Sequence, residues 1–572
     1  MSSPVESVRS AYAALAAYAD PALFISLKPE AEALKEAAAL EATGPVGKPL
    51  YGLTLGVKDN IHVAGLPTTA ACPAFTHVPG RSAAVVQKLE AAGAIVIGKT
   101  NLDQFATGLV GVRSPYGVPR NALRSDLIPG GSSSGSAVAV AAGIVDFALG
   151  TDTAGSGRVP AGMNGIVGLK PTLGLLSSTG MVPACRTLDT ISVFARDVET
   201  ARKVTEIAAG YDAADAYSRV LPTPAVSGLP PRFRVGVPPS AQRLFFGDAA
   251  AEAAYAADLE RLAALGGQII EIDFEPLHAV ARLLYEGPWV AERYAATKPL
   301  IETQPEALHP VTLKIIGGAN GLTAVSAFEA AYKLAEYRRA ATTLLAGIDI
   351  LAVPTVPRFY TLAELDAEPI AYNSNLGAYT NFVNLLDMAA ISVPVGRRSD
   401  GLPSSLTLIG RSGSDGYLAG IAAGLEGSSG ATALRAAPGQ IELAVVGAHL
   451  SGLPLNKELV ALGASFLRSV ETVPDYALYA LPNTVPPKPG LLRGSSGSGA
   501  SIAAEVWGID AAGFGQFVAA IPSPLGIGTL RFTDGTEAKG FLVEAEAVKG
   551  AEDVSAYGGW RAYVTAPKSA MG

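Results

Sequence analysis

Two glycine- and serine-rich segments in the first third of the chain constrain its fold more than any other feature. Gly130–Ser136 leads into an alanine- and valine-rich stretch of good helix propensity, which ends at Gly143. Gly150–Arg158 follows Phe147–Leu149, a short apolar segment typical of a strand. A linker lacks such neighbours, whereas loops at a helix start and at a strand end often carry catalytic residues. We therefore assign both segments to an active site within a folded domain.

An alternation of strand-like and helix-like segments runs through the larger part of the chain. Short, branched, apolar segments predict strands, and helical patterns lie between several of them. The alternation predicts an α/β layered fold around a largely buried sheet. The predicted strands are Tyr51–Val57, Ile95–Ile97, Arg234–Val237, Gln268–Ile272, Ile350–Val353 and Ile391–Val395, and one predicted amphipathic helix is Ala83–Ala92.

Composition and charge exclude several classes of partner. The 572 residues, 49% of them hydrophobic, can bury the cores of more than one domain. A net charge of −8 without a basic stripe argues against a nucleic-acid partner. No apolar run of about 18 residues is present to span a membrane, and Met1–Tyr18 lacks the apolar core of a signal peptide.

The two cysteines and the scattered histidines predict neither disulfides nor a metal. Cys72 and Cys185 form no disulfide framework, which fits a reducing cytoplasmic location. The sequence has no clustered spacing of Cys, His and carboxylate residues. We therefore expect no metal site and no cofactor.

A lysine upstream of the two loops completes a set of nucleophile and base. Serine is a weak nucleophile until a base accepts its proton, and Lys58 can be that base if burial keeps its amine neutral. None of the five histidines lies close in sequence to the serines, which favours lysine over a Ser-His-Asp triad, although sequence distance does not exclude spatial proximity. The structural alternative for Lys58 is a surface ion pair with Asp59.

These segments resemble the signature of the amidase signature family, in which two glycine- and serine-rich loops follow a lysine. The resemblance extends over about residues 1–425 and implies the amidase signature fold, a central mixed β-sheet flanked by helices. It implies that Ser156 is the nucleophile, that Ser132 is a bridging serine on a cis peptide bond, and that Lys58 is the base. The backbone N–H groups of Thr153, Ala154, Gly155 and Ser156 would then form the oxyanion hole.

Departures from the family pattern indicate one branch of it. Ser134 replaces a glycine, and Ala154 and Gly157 replace a glycine and an apolar residue, as in the allophanate hydrolase branch. In that branch, the matching residues Tyr285 and Arg293 would bind the substrate carboxylate. The alternative for Arg293 is a structural ion pair with a neighbouring glutamate, Glu286 or Glu292. Further candidates for the pocket are Arg113, Asn375 and Tyr379.

A small, polar stretch divides the chain. Its composition predicts an amidase signature domain over residues 1–425, a linker over 426–440 and a C-terminal domain over 441–572. The C-terminal part resembles that of allophanate hydrolases, which implies a smaller α+β domain with a γ-glutamyl-cyclotransferase-like fold. His449 lies in a segment similar to the histidine-bearing motif of that domain, where a catalytic or binding role competes with a structural one. Glu505 is a weaker candidate.

The resemblance implies hydrolysis of allophanate, a small anionic amide, to N-carboxycarbamate and ammonia, followed by decarboxylation. The overall products would be two ammonia and two carbon dioxide, and a urea carboxylase would supply the substrate during urea degradation. A homodimer is compatible with the resemblance. The alternatives are another amidase, either malonamidase-like or of the glutaminase type that serves tRNA-linked amidation, and, in a different class, a non-catalytic scaffold.

Overall fold

The computed structural model describes residues 3–222, 224–428 and 434–566. Contacts among them divide the chain into two compact units. The larger unit contains most of the chain up to Leu418. The smaller unit contains the chain from Ala419 onward, together with Pro224–Val235 and Ala263–Gln268.

One large mixed sheet carries most of the strands before Leu418. It contains eleven strands in the order β1-β3-β2-β4-β6-β5-β10-β11-β9-β7-β8. Near its centre, β2 runs parallel to both β3 and β4, whereas β4 and β6 are antiparallel. The strands are β1 (Phe24–Leu27), β2 (Thr54–Lys58), β3 (Ile95–Thr100), β4 (Phe147–Asp152), β5 (Val167–Lys170), β6 (Thr190–Ala195), β7 (Phe233–Val237), β8 (Gly267–Glu271), β9 (Ile350–Pro354), β10 (Met388–Arg397) and β11 (Pro403–Arg411).

Helices flank this sheet, as the sequence predicts for an α/β fold. One apolar core joins residues of α1, α2 and α4 to the sheet, with Val138 packed near Phe194, and a second joins α8 and α14 to β9 and β10. The helices are α1 (Pro4–Tyr18), α2 (Glu30–Thr43), α3 (Ala84–Ala91), α4 (Ser134–Ala141), α5 (Val159–Asn164), α6 (Val198–Ala208), α7 (Ala249–Ala264), α8 (Glu275–Glu286), α9 (Val290–Thr303), α10 (Pro310–Gly317), α11 (Ala324–Leu344), α12 (Leu362–Ala367), α13 (Ala371–Leu376), α14 (Asn381–Leu385) and α15 (Asp415–Glu426).

Within the described ranges, no single helix has the length and apolar character needed to cross a membrane. One pair of helical stretches, Pro310–Gly321 and Ala324–Gly347, meets the criteria of length and composition only when both are taken together, and the two are bent by 100°.

The strands around the two loops lie where the sequence predicts them, with different ends. The segment predicted to begin at Tyr51 becomes a strand only at Thr54, because the preceding residues form a turn in which the Leu53 N–H donates to the Leu50 carbonyl at 3.0 Å. Strand β4 continues beyond Leu149 to Asp152, because its ladder with β6 continues to that residue. This extension places the beginning of the second glycine-rich loop at the end of a buried strand.

The smaller unit combines two small sheets with short helices, which agrees with the predicted α+β class. The sheet orders are β13-β16-β12-β18-β17 and β15-β14-β19. Its elements are β12 (Gln440–Val445), α16 (Asn456–Ala461), β13 (Ser465–Glu471), β14 (Tyr476–Ala480), β15 (Pro489–Arg493), β16 (Ala503–Asp510), α17 (Ala511–Ala519), β17 (Leu525–Arg531), β18 (Glu537–Val543), β19 (Glu552–Asp553) and α18 (Trp560–Thr565).

The predicted linker lies between α15, which ends at Glu426, and β12, which begins at Gln440. Its residues 429–433 lie outside the described residues. The exact domain limits at 425 and 441, and the likeness of the C-terminal part to γ-glutamyl cyclotransferases, stay predictions.

Candidate active site

Lys58 is the last residue of β2, a strand whose five residues are all buried. Strands β3 and β4 pair with β2 on its two sides, and the lysine side chain is fully enclosed. Its Nζ donates to Ser132 Oγ at 2.8 Å and to Thr151 Oγ1 at 2.7 Å. Burial lowers the pKa of Lys58 to about 7, although nearby carboxylates oppose the shift. A neutral amine that can accept a proton is therefore accessible near neutral pH.

The surface ion pair between Lys58 and Asp59 is not formed. Asp59 instead lies 3.2 Å from Lys99 Nζ, with both side chains fully buried. Its other oxygen accepts the Thr69 N–H at 2.8 Å. The Lys58 amine therefore keeps its hydrogen bonds to the hydroxyl groups of Ser132 and Thr151.

The backbone around Ser132 has little freedom. The peptide bond between Gly131 and Ser132 is cis. A Cβ on Gly131 would lie 2.1 Å from Asp103 Oδ2, so a side chain has no room there. The Asp103 N–H donates to the Ser132 carbonyl at 3.0 Å, and the Gly131 N–H donates to the Leu109 carbonyl at 2.8 Å. These contacts hold Ser132 with its hydroxyl directed at Lys58.

Ser156 lies in the loop between β4 and α5 and is 2% exposed. Its hydroxyl donates to the Gly108 carbonyl at the long distance of 3.5 Å, its one hydrogen bond to the described residues. The route from Ser156 through Ser132 to Lys58 therefore stays a prediction. At the neighbouring Gly155, φ is 151°, and a Cβ would lie 2.4 Å from Thr380 Oγ1. Only glycine fits at that position.

The backbone of this loop presents free donors. Among the hydrogen bonds of the described residues, none uses the N–H groups of Thr153, Ala154, Gly155 or Ser156. These residues are buried, and unpaired buried N–H groups cost free energy. A developing oxyanion would satisfy them, which is the chemistry predicted for this segment.

A buried ion pair holds the ends of the loop together. Arg158 contacts Asp152 through two hydrogen bonds of 2.9 and 3.0 Å, and both side chains are fully buried. Asp152 also accepts the Gly157 N–H at 3.0 Å, while Arg158 donates to the Thr380 carbonyl and to Asn384 Oδ1 at 3.2 Å. Asp152 and Arg158 thus support the loop.

Ser133 and Ser134, the serines that follow Ser132, donate to backbone carbonyls. Ser133 Oγ donates to the Thr151 carbonyl at 3.2 Å. Ser134 Oγ donates to the Asn101 carbonyl at 3.4 Å. Neither hydroxyl has a hydrogen bond to Lys58.

Arg293, on α9, is buried and only partly paired. Its Nη1 donates to the Ala106 carbonyl and to Thr107 Oγ1, each at 3.1 Å. Its Nε and Nη2, like the hydroxyl of Tyr285, have no hydrogen-bond partner among the described residues. The guanidinium lies 5.5 Å from the centre of the Tyr285 ring. Free donors on two neighbouring side chains match what a carboxylate ligand requires.

The alternative role of Arg293, a structural ion pair with Glu292, is not observed. That carboxylate accepts the Thr187 N–H at 3.0 Å and also bonds to the Thr187 hydroxyl. No ion pair joins Arg293 to a glutamate among the described residues. Carboxylate binding by the Arg293 guanidinium therefore stays a prediction.

The further pocket candidates are bound by the protein itself. Arg113 donates to the Thr107 carbonyl at 2.9 Å and to the Pro369 carbonyl at 3.0 Å. Asn375 donates to the Tyr360 hydroxyl at 2.8 Å. The Tyr379 hydroxyl accepts the Leu244 N–H at 2.6 Å. These contacts account for the three side chains without a substrate.

His449 lines a cavity of about 350 Å³ in the smaller unit. Its Nε2 lies 3.0 Å from Glu458 Oε2, and its ring stacks on Phe541 with a centroid distance of 5.4 Å. Lys488 also lines this cavity, and burial lowers the pKa of His449. The histidine is therefore accessible to a small ligand.

Glu505, the weaker candidate, is engaged in its own fold. It accepts the N–H and the hydroxyl of Ser451, each at 2.7 Å, and a bond of 2.7 Å from Arg561. These contacts satisfy a carboxylate that is 3% exposed. A direct role in the cavity of His449 has no support.

Two residues near Lys58 were not predicted from the sequence. Thr151, the second hydroxyl on the Lys58 amine, lies within the predicted loop, and its position at the end of β4 is the signal that could have revealed it. Asp189 accepts the Thr153 hydroxyl from a segment 36 residues away in the sequence. No local pattern distinguishes that aspartate, because its role depends on the pairing of β4 with β6.

The fold and this set of side chains define a class, the serine hydrolases that use a buried lysine in place of histidine. The sequence model of the amidase family matches residues 6–418, and the chain therefore belongs to the amidase family. Residues 441–565 match the model of the allophanate hydrolase C-terminal domain.

Two relatives match nearly the whole chain, and a third matches about two thirds of it. The urea amidolyase of Lachancea kluyveri is 45% identical over 544 residues, which cover 90% of this chain and 30% of that protein. The structure of Kluyveromyces lactis allophanate hydrolase is 41% identical, with a TM-score of 0.77, and the match covers 98% of this chain and 97% of the other. A glutamyl-tRNA(Gln) amidotransferase subunit of Koribacter versatilis is 35% identical, over 66% of this chain and 85% of that protein. The chain thus spans about 30% of the length of the urea amidolyases.

Proposed function

We propose that this protein hydrolyses the terminal amide of allophanate and releases ammonia and N-carboxycarbamate. The observation that carries the proposal is the pair of free donors on Arg293 and Tyr285 close to the hydrolytic loops. The segment Ala106–Gly108 connects the two features, because it contacts Arg293 at one end and Ser156 at the other. A substrate that carries a carboxylate at one end and an amide at the other can occupy both.

The relatives support this choice of substrate. The solved allophanate hydrolase matches the chain over nearly all of both lengths, including the C-terminal part. The match to the glutamyl-tRNA(Gln) amidotransferase subunit covers 66% of this chain and leaves about a third of it without a counterpart, whereas residues 441–565 match the allophanate hydrolase C-terminal domain. Both the free arginine donors and the C-terminal unit therefore favour allophanate over glutamine.

We assign the acylation step to Ser156, Ser132 and Lys58, and the hydrogen bond between Lys58 and Ser132 supports the second part of this relay. Ser156 Oγ attacks the amide carbonyl carbon, and its proton passes to Ser132 while the Ser132 proton passes to the neutral amine of Lys58. The oxyanion accepts hydrogen bonds from the N–H groups of the loop Thr153–Ser156. When the tetrahedral intermediate collapses, the C–N bond breaks and the leaving nitrogen takes a proton back along the same route. Ammonia leaves, and an ester to Ser156 remains.

Deacylation uses the same relay. Water gives a proton to it and attacks the ester carbonyl. The bond to Ser156 breaks, the serine regains its proton, and N-carboxycarbamate is released. That product takes up a proton and loses one carbon dioxide to give carbamate, and carbamate takes up a second proton and breaks down to ammonia and a second carbon dioxide. The overall products are therefore two ammonia and two carbon dioxide.

The second unit and the partners form a further part of the proposal. His449 and Lys488 both line the cavity of the smaller unit, and this supports the proposal that the cavity binds a small anion for the decarboxylation. Allophanate would come from a urea carboxylase in urea degradation, in keeping with the name of the urea amidolyases. A cytoplasmic location accords with two free, buried cysteines, Cys72 and Cys185. A homodimer stays a prediction.

Ammonia release from a substrate panel tests this function. The panel contains allophanate, malonamate, biuret and glutamine, and the Ser156→Ala variant provides the background. We expect the highest kcat/KM for allophanate. The highest value for glutamine would instead identify a glutaminase-type amidase, and no release from any amide would indicate a non-catalytic scaffold.

A further inference from the structure

Asp189 is a partly buried carboxylate just before β6 that none of the proposed chemical steps uses. It accepts the hydroxyl of Thr153, the first residue of the oxyanion loop. It also accepts the N–H groups of Ala184 at 2.7 Å and of Cys185 at 3.1 Å. All of these groups donate to the carboxylate, which suits an anion because an ionised carboxyl group only accepts.

The loop Thr153–Ser156 needs such an anchor. Its N–H groups have no protein acceptor among the described residues, so hydrogen bonding of the backbone itself does not fix their direction. Arg158 holds Asp152, at the start of the loop, and Asn384 donates to the carbonyls of Asp152 and Leu188, each at 2.9 Å. Thr153 directly follows Asp152, and Asp189 directly follows Leu188. Asn384 therefore holds the backbone just before each member of the Thr153–Asp189 hydrogen bond.

We propose that Asp189 is a positioning residue of the hydrolytic site, which holds the Thr153 side chain and thereby directs the N–H groups of the oxyanion loop toward the substrate. The proposal rests on the amide hydrolysis proposed above and adds a residue to it. Ala154 and Gly155 carry no side-chain donor or acceptor, so Thr153 is the point in the first part of the loop that a side-chain hydrogen bond can hold. The anchor directly precedes β6, the strand paired with β4, so it is held by the sheet rather than by the loop.

The charge of Asp189 gives a readout that a purely structural role would not change. No cation lies within 4.0 Å of it among the described residues, whereas Asp152 is paired with Arg158. Burial raises the pKa of Asp189 to about 6, so it is an anion at neutral pH. As an anion it raises the pKa of Lys58 against the effect of burial. Three other charged groups shift the pKa of Lys58: Asp103, Asp152 and Arg293. The groups that face Asp189 itself are Arg293 and the Cys185 thiol.

Variants of Thr153 test the positioning on the full chain. Thr153→Val removes the hydroxyl but keeps the shape, and we expect kcat on allophanate to fall about 10- to 100-fold while KM changes little, because misdirected N–H groups affect mainly the transition state. Thr153→Ser keeps the hydroxyl and should retain most of kcat. Equal activity of Thr153→Val and Thr153→Ser would overturn the proposal.

The pH dependence of kcat/KM in Asp189→Asn tests the role of Asp189 itself. The neutral amide no longer favours the protonated amine of Lys58, so we expect the acid limb of kcat/KM to move to lower pH and kcat to fall. Asp415→Asn is the matched control, because Asp415 is also held by a threonine: it accepts the N–H and hydroxyl of Thr172 at 2.8 and 2.6 Å, and burial raises its pKa too. The control should leave the acid limb in place.

The two proposals fail in different ways. If the wild-type protein releases no ammonia from any amide, the proposed function fails. If the wild-type protein is active but Asp189→Asn leaves both kcat and the acid limb unchanged, the role of Asp189 fails alone. Should Asp189→Asn not fold, the comparison of Thr153→Val with Thr153→Ser decides the positioning role.

Discussion

At the scale of single residues, the fold places an amine where a positive charge is costly. Lys58 is enclosed by the sheet, and its two hydrogen bonds go to uncharged hydroxyl groups. The carboxylates that would favour its charge are engaged elsewhere: Asp152 binds Arg158, and Asp103 accepts the N–H groups of Gly111 and Arg113 at 2.9 Å. A lysine held in this way can act as a base at neutral pH.

The rate should therefore depend on the protonation of Lys58. The base acts as a neutral amine, so kcat/KM should decrease as the pH falls below about 7, the value to which burial brings the pKa of Lys58. Measurement of kcat/KM on allophanate from about pH 5 to 9 tests this. A value independent of pH across that interval would rule out Lys58 as the base.

The variant Lys58→Met separates activity from stability. Methionine fills the same space without an amine, so we expect no ammonia release and a Tm at neutral pH equal to or above that of the wild type, because a desolvated amine is costly to bury. Calorimetry and the ammonia assay measure the two effects. A Tm decrease together with full activity would contradict the assignment.

Ser156 should be indispensable for turnover and dispensable for folding. Its hydroxyl makes one long hydrogen bond, so Ser156→Ala should change Tm little and lower kcat about a thousandfold or more. Ser134→Ala is the control, since its hydroxyl bonds only to the Asn101 carbonyl. Turnover of Ser156→Ala close to that of the control would contradict its role as nucleophile.

The sequence predicts the candidate site residues that lie in short local motifs better than those that strand pairing brings to the site. Lys58, Ser132 and Ser156 lie in local patterns of small residues whose chemistry is readable from residue type. Thr151 and Asp189 act on that site only because β2, β4 and β6 lie side by side, and pairing of distant strands leaves no local signal.

At the scale of elements, the loop between β4 and α5 depends on the buried ion pair of Asp152 and Arg158. Arg158→Leu would leave the Asp152 carboxylate buried without its cation, at a cost of about 3–5 kcal/mol in the free energy of unfolding. We expect a lower free energy of unfolding and a lower kcat together, measured by urea unfolding and the ammonia assay. An unchanged free energy of unfolding would show that the pair does not support the loop.

The sequence also predicts the order of elements around this loop, but not their ends. Apolar runs show where β3, β4 and β9 lie, because buried strands of a layered fold are continuously apolar. The end of β4 at Asp152 depends on its pairing with β6, and the start of β2 at Thr54 depends on the turn at Leu50–Leu53. Both are set by long-range or turn hydrogen bonds rather than by hydrophobicity.

At the scale of the whole molecule, the smaller unit includes a segment from the middle of the chain. The Gly228 N–H donates to the Phe466 carbonyl at 2.7 Å, and the Phe466 N–H donates to Ser227 Oγ at 3.2 Å. The boundary predicted from composition near residue 425 could not reveal this, because the contact joins residues 239 positions apart.

A shortened chain of residues 1–425 should therefore keep ammonia release but lose stability. The residues of the proposed hydrolytic site all lie before 425, whereas Ser227 and Gly228 lose their partners at Phe466. We expect kcat/KM on allophanate within about tenfold of the full chain, and a lower Tm. A folded fragment without activity would show that hydrolysis needs the C-terminal part.

The central claim concerns the substrate carboxylate, and one comparison tests it most directly. Biuret is a neutral analogue of allophanate, with an amide in place of the carboxylate, so kcat/KM of the wild type and of Arg293→Gln on both substrates isolates the charge. Loss of a charge-assisted contact costs about 1.5–3 kcal/mol, which predicts a decrease of about 10- to 100-fold for allophanate. The decrease for biuret should be small. Both proteins should be measured at about pH 9, where Lys58 is neutral in each of them. Equal decreases on the two substrates would contradict carboxylate binding by Arg293.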